Sequence, residues 1–182
     1  MMVAAIDPRV KAIVAQVPAY GNEPPPPDPD GSLFAAVRET FLNSDLNSLP
    51  QTSRGPLPVV SFNQQSVPSL LTPITAYRWF IEYGGRYGTK WENSGTTISL
   101  TNAPYQAGLC ASHISAPLLM MIAWDDEMPG ASSSVARKVF DLVPGTKELV
   151  EMDGGHFGLL HFPSDLFDQA SKTQRDFLMK YL

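Results

Sequence analysis

Apolar and amphipathic segments alternate along the last third of the chain. The continuous apolar run "PLLMMIA" at residues 117–123 predicts a strand buried on both faces of a sheet. Residues 132–143 and 163–182 repeat apolar positions at helical spacing, and Ser164 is a candidate N-cap for the second of these helices. Between the two helices, residues 147–153 ("KELVEMD") predict another strand. The order strand, helix, strand, helix predicts an α/β fold, with a small parallel sheet flanked by helices.

The first two thirds of the chain contain one further predicted strand and several irregular stretches. Residues 10–18 are short, apolar and β-branched, and they end at a proline, which predicts a buried strand. The segment "GNEPPPPDPDGS" at 21–32 has four consecutive prolines, which favour an extended polyproline II stretch at the surface. Residues 45–71 are rich in Pro, Ser, Gln and Asn and predict an irregular loop. Residues 89–116 have no clear pattern.

Two helices are predicted within this part of the chain. Residues 32–44 place apolar side chains at helical spacing, with Ser32 as a candidate N-cap. Residues 72–88 contain a predicted aromatic-rich helix, with Thr72 as its cap, Pro73 at its first position and its end at Gly84-Gly85.

Composition and charge restrict the class of protein. The chain has 182 residues, a hydrophobic content of 43% and a mean hydropathy of −0.09, which is ordinary for a globular protein with a packed core. A net charge of −5 without a basic run argues against nucleic acid and anionic membranes as partners. Asp7, Arg9 and Lys11 interrupt the signal-peptide pattern, and no apolar run approaches the ~20 residues of a membrane helix. The single cysteine, Cys110, is expected to be an inert, partly buried thiol and suits a reducing compartment, so the sequence predicts a cytoplasmic protein.

Candidate chemistry follows directly after two of the predicted strands. The run at 117–123 leads into Trp124 and three acids, Asp125, Asp126 and Glu127, whereas the strand at 147–153 leads into Gly-Gly and His156. Parallel neighbours place both loops at the same edge of the sheet. A carboxylate at that edge can orient an imidazole, which can then move protons for a nucleophile.

Other interpretations of these residues remain open. The histidine can be a surface loop residue, and the acids can be a solvated turn. Asp125, Asp126, Glu127 and His156 are also possible metal ligands, but no His-x-x-x-His or paired-Cys spacing supports a metal site, so no metal and no cofactor is predicted.

Several residues near this cluster are expected to have structural roles. His113 and His161 lack comparable context and are interpreted as structural or exposed. Trp124 and Phe157 are interpreted as packing residues, and Asp153 as a residue that hydrogen-bonds locally in its turn.

The residues at the strand ends resemble the carboxyl-terminal half of an α/β-hydrolase. In that superfamily the catalytic acid follows a strand that begins with proline, as in "PLLMMIAWDDEMPG", and the histidine often stands in a Gly-His-Phe loop, as in "DGGHFG". The acid is commonly nine positions after the proline, which gives Asp126, or four positions before the next proline, which gives Asp125. The resemblance therefore implies His156 as the base and Asp126 as the acid, with Asp125 as the runner-up.

The same resemblance suggests a division of the chain. Residues 1–18 and 111–182 are expected to form a partial hydrolase core, because "AAIDPRVKAIVAQVP" resembles the segment after the nucleophile helix. Residues 19–110 lie where the superfamily inserts its lid or cap. Within the superfamily, the chain most resembles the bacterial and fungal hydrolases that include polyketide-transferase-like acyltransferases.

The nucleophile elbow of the superfamily, Gly-x-Ser-x-Gly, does not occur in these 182 residues. Ser61, Ser112 and Ser115 all lack its setting. The chain is therefore expected to be the carboxyl-terminal part of a longer hydrolase, through a truncated gene model, a split gene or a shortened homologue. Without the nucleophile strand, the strand at 10–18 is expected to present an exposed edge that pairs with another chain.

Three functions are compatible with these observations. The first is hydrolysis of a small-molecule ester or transfer of an acyl group, with the nucleophile outside this chain. The second is a non-catalytic remnant that acts as a binding or interaction module. The third is a fragment that complements a separate amino-terminal segment.

Overall fold

The computed structural model describes residues 1–43, 51–86, 88–100 and 107–182. Contacts group the chain into two compact units, Met1–Asn43 with Tyr105–Leu182, and Ser44–Pro104. The described strands are β1 (Ile13–Gln16), β2 (Gln51–Leu57), β3 (Gly95–Leu100), β4 (Leu118–Ala123) and β5 (Lys147–Met152). The described α-helices are α1 (Met2–Ile6), α2 (Ser32–Asn43), α3 (Ile74–Trp79), α4 (Ser133–Leu142), α5 (Gly155–Gly158) and α6 (Asp165–Tyr181). These units do not share the boundaries of the predicted cap at 19–110, and that cap stays a prediction.

The sheet of the larger unit has the order β1-β4-β5, and both pairings are parallel. In this register Leu118 of β4 lies opposite Ile13 of β1 and Lys147 of β5. A small parallel sheet flanked by helices confirms the α/β prediction. Since both neighbours of β4 run in its direction, β1, β4 and β5 all end at one edge of the sheet.

The central strand β4 is buried at each of its six residues. Alternate side chains enter two different apolar clusters, because successive residues of a strand point to opposite faces. Leu118, Met120 and Ile122 pack in one cluster with α4, and Leu119, Met121 and Ala123 pack in the other with α6. The apolar run is therefore continuous because both faces of β4 are covered.

Side chains cap α2, α4 and α6 of the larger unit, although not always the predicted ones. The Ser164 hydroxyl accepts the backbone N–H of Phe167 at 3.1 Å, which confirms Ser164 as the N-cap of α6. The prediction of Ser32 as the cap of α2 is wrong, since Ser32 is already the first residue of the helix. The carboxylate of Asp28 instead accepts two N–H groups of the first turn, at 3.0 and 2.9 Å. The cap of α2 is therefore the carboxylate of Asp28 and not the hydroxyl of Ser32, and its negative charge is favourable at a helix N-terminus.

The helix predicted to start at Thr72 and to stop at Gly84-Gly85 changes type along its length. It begins at Ile74, after Pro73 in an extended conformation, and no side chain caps it, so the predicted roles of Thr72 and Pro73 are wrong. After α3 the chain continues as a π-helical turn at Phe80–Gly84. Residue 87 lies outside the described residues.

The smaller unit contains an antiparallel pair that the sequence did not predict. β2 pairs with β3. β2 lies within the segment 45–71 that was predicted as an irregular loop, so that prediction is wrong for Gln51–Leu57. Nearly every residue of β2 is exposed, and its register shifts between Arg54 and Leu57. Since neither face of β2 is buried, its sequence lacks the apolar alternation that marks a strand. Residues 45–50 lie outside the described residues.

Cys110 lies in a 3-10 helix at Ala107–His113, within the stretch that had no clear pattern. The thiol is fully buried, with its sulfur 3.7 Å from the sulfur of Met2. Burial raises the pKa of Cys110, because the apolar surroundings disfavour the thiolate. This environment is that of the inert thiol that the sequence predicts. None of the described helices is both long enough and apolar enough to cross a membrane.

Candidate active site

The loops after β4 and β5 leave the sheet side by side. Just after the last residue of β4, the backbone N–H of Trp124 donates to the carbonyl of Met152 at 3.3 Å, so the two backbone segments stay adjacent past the strand ends. The acid loop (residues 124–128) then turns back, with the Asp126 N–H donating to the Ala123 carbonyl at 3.4 Å. The histidine loop (residues 153–158) contains the short helix α5. Both loops therefore lie at the edge where parallel strands commonly present functional groups.

The imidazole of His156 contacts the carboxylate of Asp126. The distance from His156 Nδ1 to Asp126 Oδ2 is 2.9 Å, and the side chains are 19% and 3% exposed, respectively. The other carboxylate oxygen, Oδ1, accepts the N–H of Met128 at 2.9 Å. The buried carboxylate is thus held by its own loop and presents one oxygen to the ring.

This contact determines which ring nitrogen is available for chemistry. A carboxylate can only accept a hydrogen bond, so the neutral imidazole places its proton on Nδ1. In the described parts of the chain, no group hydrogen-bonds to Nε2 of His156. Nε2 is then an unprotonated nitrogen able to accept a proton from a hydroxyl, which is the arrangement of a general base oriented by an acid.

Asp125, the runner-up for the acid, does not contact the ring. Its two oxygens accept the backbone N–H groups of Gly154 and Gly155, at 3.3 and 3.0 Å. The geometry therefore favours Asp126 over Asp125 as the partner of the imidazole. The catalytic role of either acid stays a prediction.

The neighbouring aromatic residues and histidines occupy different environments. Phe157 is buried and meets the His156 ring edge-on at 5.1 Å between centroids, as a packing residue does. Trp124 is 61% exposed, so its predicted packing role is wrong, and its indole N–H donates to the carboxylate of Asp153. His113 stacks on Phe34 at 3.8 Å, in a structural role.

Among residues 1–43, 51–86, 88–100 and 107–182, no group of three or more His, Cys, Asp or Glu side chains is placed to hold a metal ion. The acids of the cluster point at backbone N–H groups and at the imidazole instead. His161, whose backbone N–H donates to the carbonyl of Gly158 at 3.3 Å, follows α5.

The three candidate serines occupy different environments. Ser61 is 7% exposed, and its hydroxyl accepts the N–H of Asn63 at 3.1 Å. Ser112 and Ser115 are exposed loop or 3-10 residues. Ser112 and Ser115 lie in the same unit as His156, and within the described residues neither hydroxyl is hydrogen-bonded to His156.

Comparison with known proteins gives matches only at the level of structure. No protein-family model matches the chain, and no curated protein matches it. A chain in the structure of DcsB in complex with its substrate analogue has a TM-score of 0.57 at 20% identity, over 99% of this chain and 59% of that one. The α/β hydrolase GrgF from Penicillium sp. sh18 has a TM-score of 0.57 at 20% identity, over 98% and 58%. The monoacylglycerol lipase from Paleococcus ferrophilus has a TM-score of 0.50 at 15% identity, over 97% and 62%.

The chain spans less than two thirds of the length of each of these proteins. At such identities the likeness concerns the fold, and it agrees with the sequence resemblance at the two strand ends. The chain therefore has the fold of the α/β-hydrolase superfamily.

Proposed function

We propose that this chain carries the acid–base half of a serine-hydrolase-type active site, which hydrolyses an ester or transfers an acyl group. The observation that supports this proposal best is the 2.9 Å contact between His156 Nδ1 and the buried carboxylate of Asp126. The pair lies at the carboxyl edge of a parallel sheet, and Nε2 of the ring has no hydrogen-bond partner among the described residues. An imidazole in this state can accept a proton from a hydroxyl and return it later.

The proposed chemistry assigns one proton movement to each step. His156 Nε2 takes the proton of a hydroxyl nucleophile as the oxygen attacks the acyl carbonyl carbon. The resulting imidazolium is stabilised by the Asp126 carboxylate, and it gives the proton to the leaving oxygen or nitrogen. In the second half, water (in hydrolysis) or an acceptor alcohol or amine (in acyl transfer) attacks the acyl carbon and gives its proton to Nε2. The acyl–enzyme bond then breaks and the nucleophile regains its proton.

The nucleophile of this mechanism is proposed to belong to a segment outside these 182 residues. The sequence has no Gly-x-Ser-x-Gly, and an acid and a base alone cannot form an acyl-enzyme. The substrate is proposed to be a small-molecule ester or acyl donor. Its acyl and leaving groups depend on the shape of a pocket to which the missing segment would contribute.

A complementation assay tests this proposal. The chain is co-expressed with the polypeptide encoded directly upstream of its own coding region, and hydrolysis of p-nitrophenyl acetate and butyrate is measured. We expect turnover by the wild-type pair and a loss of about 10³-fold or more in His156→Ala, since that substitution removes the base. His113→Ala is the matched control, because His113 only stacks on Phe34, and it should keep wild-type turnover.

Two outcomes would contradict the proposal: no turnover by the wild-type pair, or turnover that survives His156→Ala. The first would favour the alternative of a non-catalytic binding module, and the second would mean that the activity does not depend on His156. Co-purification of the two polypeptides without turnover would also favour that alternative.

The edge of β1 is the proposed contact for such a segment, or for a second copy of the chain. In the described sheet β1 pairs with β4 only. The N–H of Ile13 donates to the carbonyl of Pro117, just before β4, at 2.9 Å, and the N–H of Val17 donates to the carbonyl of Met121 at 2.8 Å. The N–H groups of the even-numbered residues, such as Val14, therefore point away from β4. Unpaired N–H and C=O groups on an apolar strand are a template for another strand.

Val14→Pro is expected to block that association while the β1–β4 ladder is kept. Proline removes an outward-facing N–H, so a strand that docks on β1 loses a hydrogen bond and meets the ring. Light scattering coupled to size-exclusion chromatography should show self-association or a complex for the wild-type chain and a monomer for Val14→Pro. Ala12→Ser, which changes a side chain in the same region but keeps its N–H, is the control. A monomeric wild-type chain that also fails to bind the upstream polypeptide would exclude the edge as a contact.

A further inference from the structure

We infer that Asp125 and Glu127 are positioning residues, which hold the histidine loop against the acid loop so that the imidazole of His156 meets Asp126. This inference rests on the proposed role of His156 and Asp126. Both residues would act through the backbone of the histidine loop, and neither touches the ring.

Asp125 holds the two residues before the histidine. Its Oδ1 accepts the N–H of Gly155 at 3.0 Å, and its Oδ2 accepts the N–H of Gly154 at 3.3 Å. One carboxylate therefore binds two consecutive amides with both of its oxygens. Hydrogen bonds to a charged acceptor are about twice as strong as those between neutral groups.

Glu127 holds the backbone of the histidine itself. Its Oε2 accepts the N–H of His156 at 3.1 Å. A Cβ atom on Gly155 would lie 2.3 Å from the same oxygen, and Gly155 has a φ of +64°, so only glycine permits this approach without a shift. The positive φ favours glycine at this position, and the absence of a Cβ leaves room for the Glu127 carboxylate.

The three consecutive acids divide their contacts in a regular way. Asp125 binds the amides of Gly154 and Gly155, Glu127 binds the amide of His156, and Asp126, between them, is left for the ring. As a result, His156 is attached to the acid loop both through its backbone and through its imidazole. The backbone attachment keeps the Cα of His156 beside the acid loop, within reach of Asp126.

The short helix α5 depends on contacts outside itself. α5 has only four residues, and a helix this short is not stable by itself in water. Its first N–H groups have no acceptor within the helix and need one from elsewhere. The carboxylates of Asp125 and Glu127 supply these acceptors, and their charge is favourable at a helix N-terminus.

Hydrogen exchange and NMR on the chain itself test the inference without any need for turnover. The variants are Asp125→Ala and Glu127→Ala, beside the conservative Asp125→Asn and Glu127→Gln, which keep an oxygen acceptor. We expect the alanine variants to speed exchange of the amides at 154–156 by about 10- to 100-fold. They should also broaden or remove the signal of the His156 Nδ1–H, whereas the conservative variants should keep most of it.

Ser164→Ala is the matched control for a general loss of stability. It removes the N-cap of α6, a change that lowers stability without touching either loop. Exchange in this control should rise across the larger unit, while the Nδ1–H signal stays. If Asp125→Ala and Glu127→Ala behave like Ser164→Ala, or leave the Nδ1–H signal unchanged, the positioning role is wrong.

Activity measurements separate this inference from the proposed function. In the complemented enzyme, Asp125→Ala should lower kcat by about 10- to 100-fold with little change in KM, and Asp125→Asn should restore most of the loss. If the wild-type pair is active but Asp125→Ala keeps its kcat, the positioning role is wrong and the proposed function stands. If the NMR effects occur but the wild-type pair is inactive, the proposed function fails and the positioning of the ring stands.

Discussion

Asp126→Asn is expected to lower kcat of the complemented hydrolase by about 10⁴-fold without unfolding the chain. The reason is the tautomer of the neighbouring ring. An asparagine amide at this position can donate its N–H to His156 Nδ1, 2.9 Å from the present carboxylate oxygen, and it then leaves the proton of the ring on Nε2. A protonated Nε2 cannot take the proton of the nucleophile. The imidazolium that forms during the reaction also loses its negatively charged partner.

Two measurements check this prediction. Steady-state hydrolysis of p-nitrophenyl esters gives kcat, and the ¹⁵N shifts of the His156 ring report whether the proton has moved from Nδ1 to Nε2. The control is Asp141→Asn at an exposed position of α4, which also replaces a carboxylate by an amide but lies outside the two loops. A loss in Asp126→Asn of less than about 10-fold, or a larger loss in Asp125→Asn, would make Asp126 the wrong choice of acid.

The sequence could identify the two ends of this pair, but it could not choose between the adjacent acids. Counting from Pro117 gives Asp126, and counting from Pro129 gives Asp125, so each spacing supports a different residue. The structure separates them because the turn after Ala123 aims consecutive side chains in different directions. Asp126 faces the ring, whereas Asp125 faces the amides of the histidine loop.

The roles of Asp125 and Glu127 in holding the loop were missed for a related reason. Contacts between carboxylates and backbone N–H groups of another loop have no sequence motif of their own. The available signal was the pairing of three consecutive acids after one strand with Gly-Gly-His after its neighbour. That pairing would have suggested more acceptors than a single imidazole requires.

Elements of the larger unit were predicted well where burial shaped their sequences. The run at 117–123 became β4 at Leu118–Ala123, and the segment at 163–182 became α6 at Asp165–Tyr181. These elements have either two buried faces or one apolar stripe, and both leave periodic patterns. By contrast, β2 exposes almost all of its side chains and pairs with β3, which is distant in the sequence. Such a strand is specified by its backbone partner and leaves no local apolar pattern.

The largest effect on stability is expected from truncation of two adjacent residues of β4. Leu118→Ala and Leu119→Ala should each lower the free energy of unfolding by about 2–5 kcal/mol. Both side chains are fully buried, but they enter different clusters, Leu118 on the side of α4 and Leu119 on the side of α6. In a strand with only one buried face, truncating two successive residues would give one large effect and one small effect, because their side chains point to opposite faces.

Urea unfolding of the full chain, monitored by circular dichroism, gives the free energy of unfolding of each variant, which is compared with that of one matched control. That control is Leu142→Ala, because Leu142 lies on α4 with 47% of its surface exposed and its truncation should cost less than about 1 kcal/mol. If Leu118→Ala or Leu119→Ala lowered the free energy of unfolding as little as the control does, one face of β4 would be open to solvent. The sheet would then have a single packed side, and it could not hold the acid and histidine loops between helices on both faces. Equal, large losses instead follow from a parallel sheet covered on both faces, the arrangement that positions His156 and Asp126 at its edge.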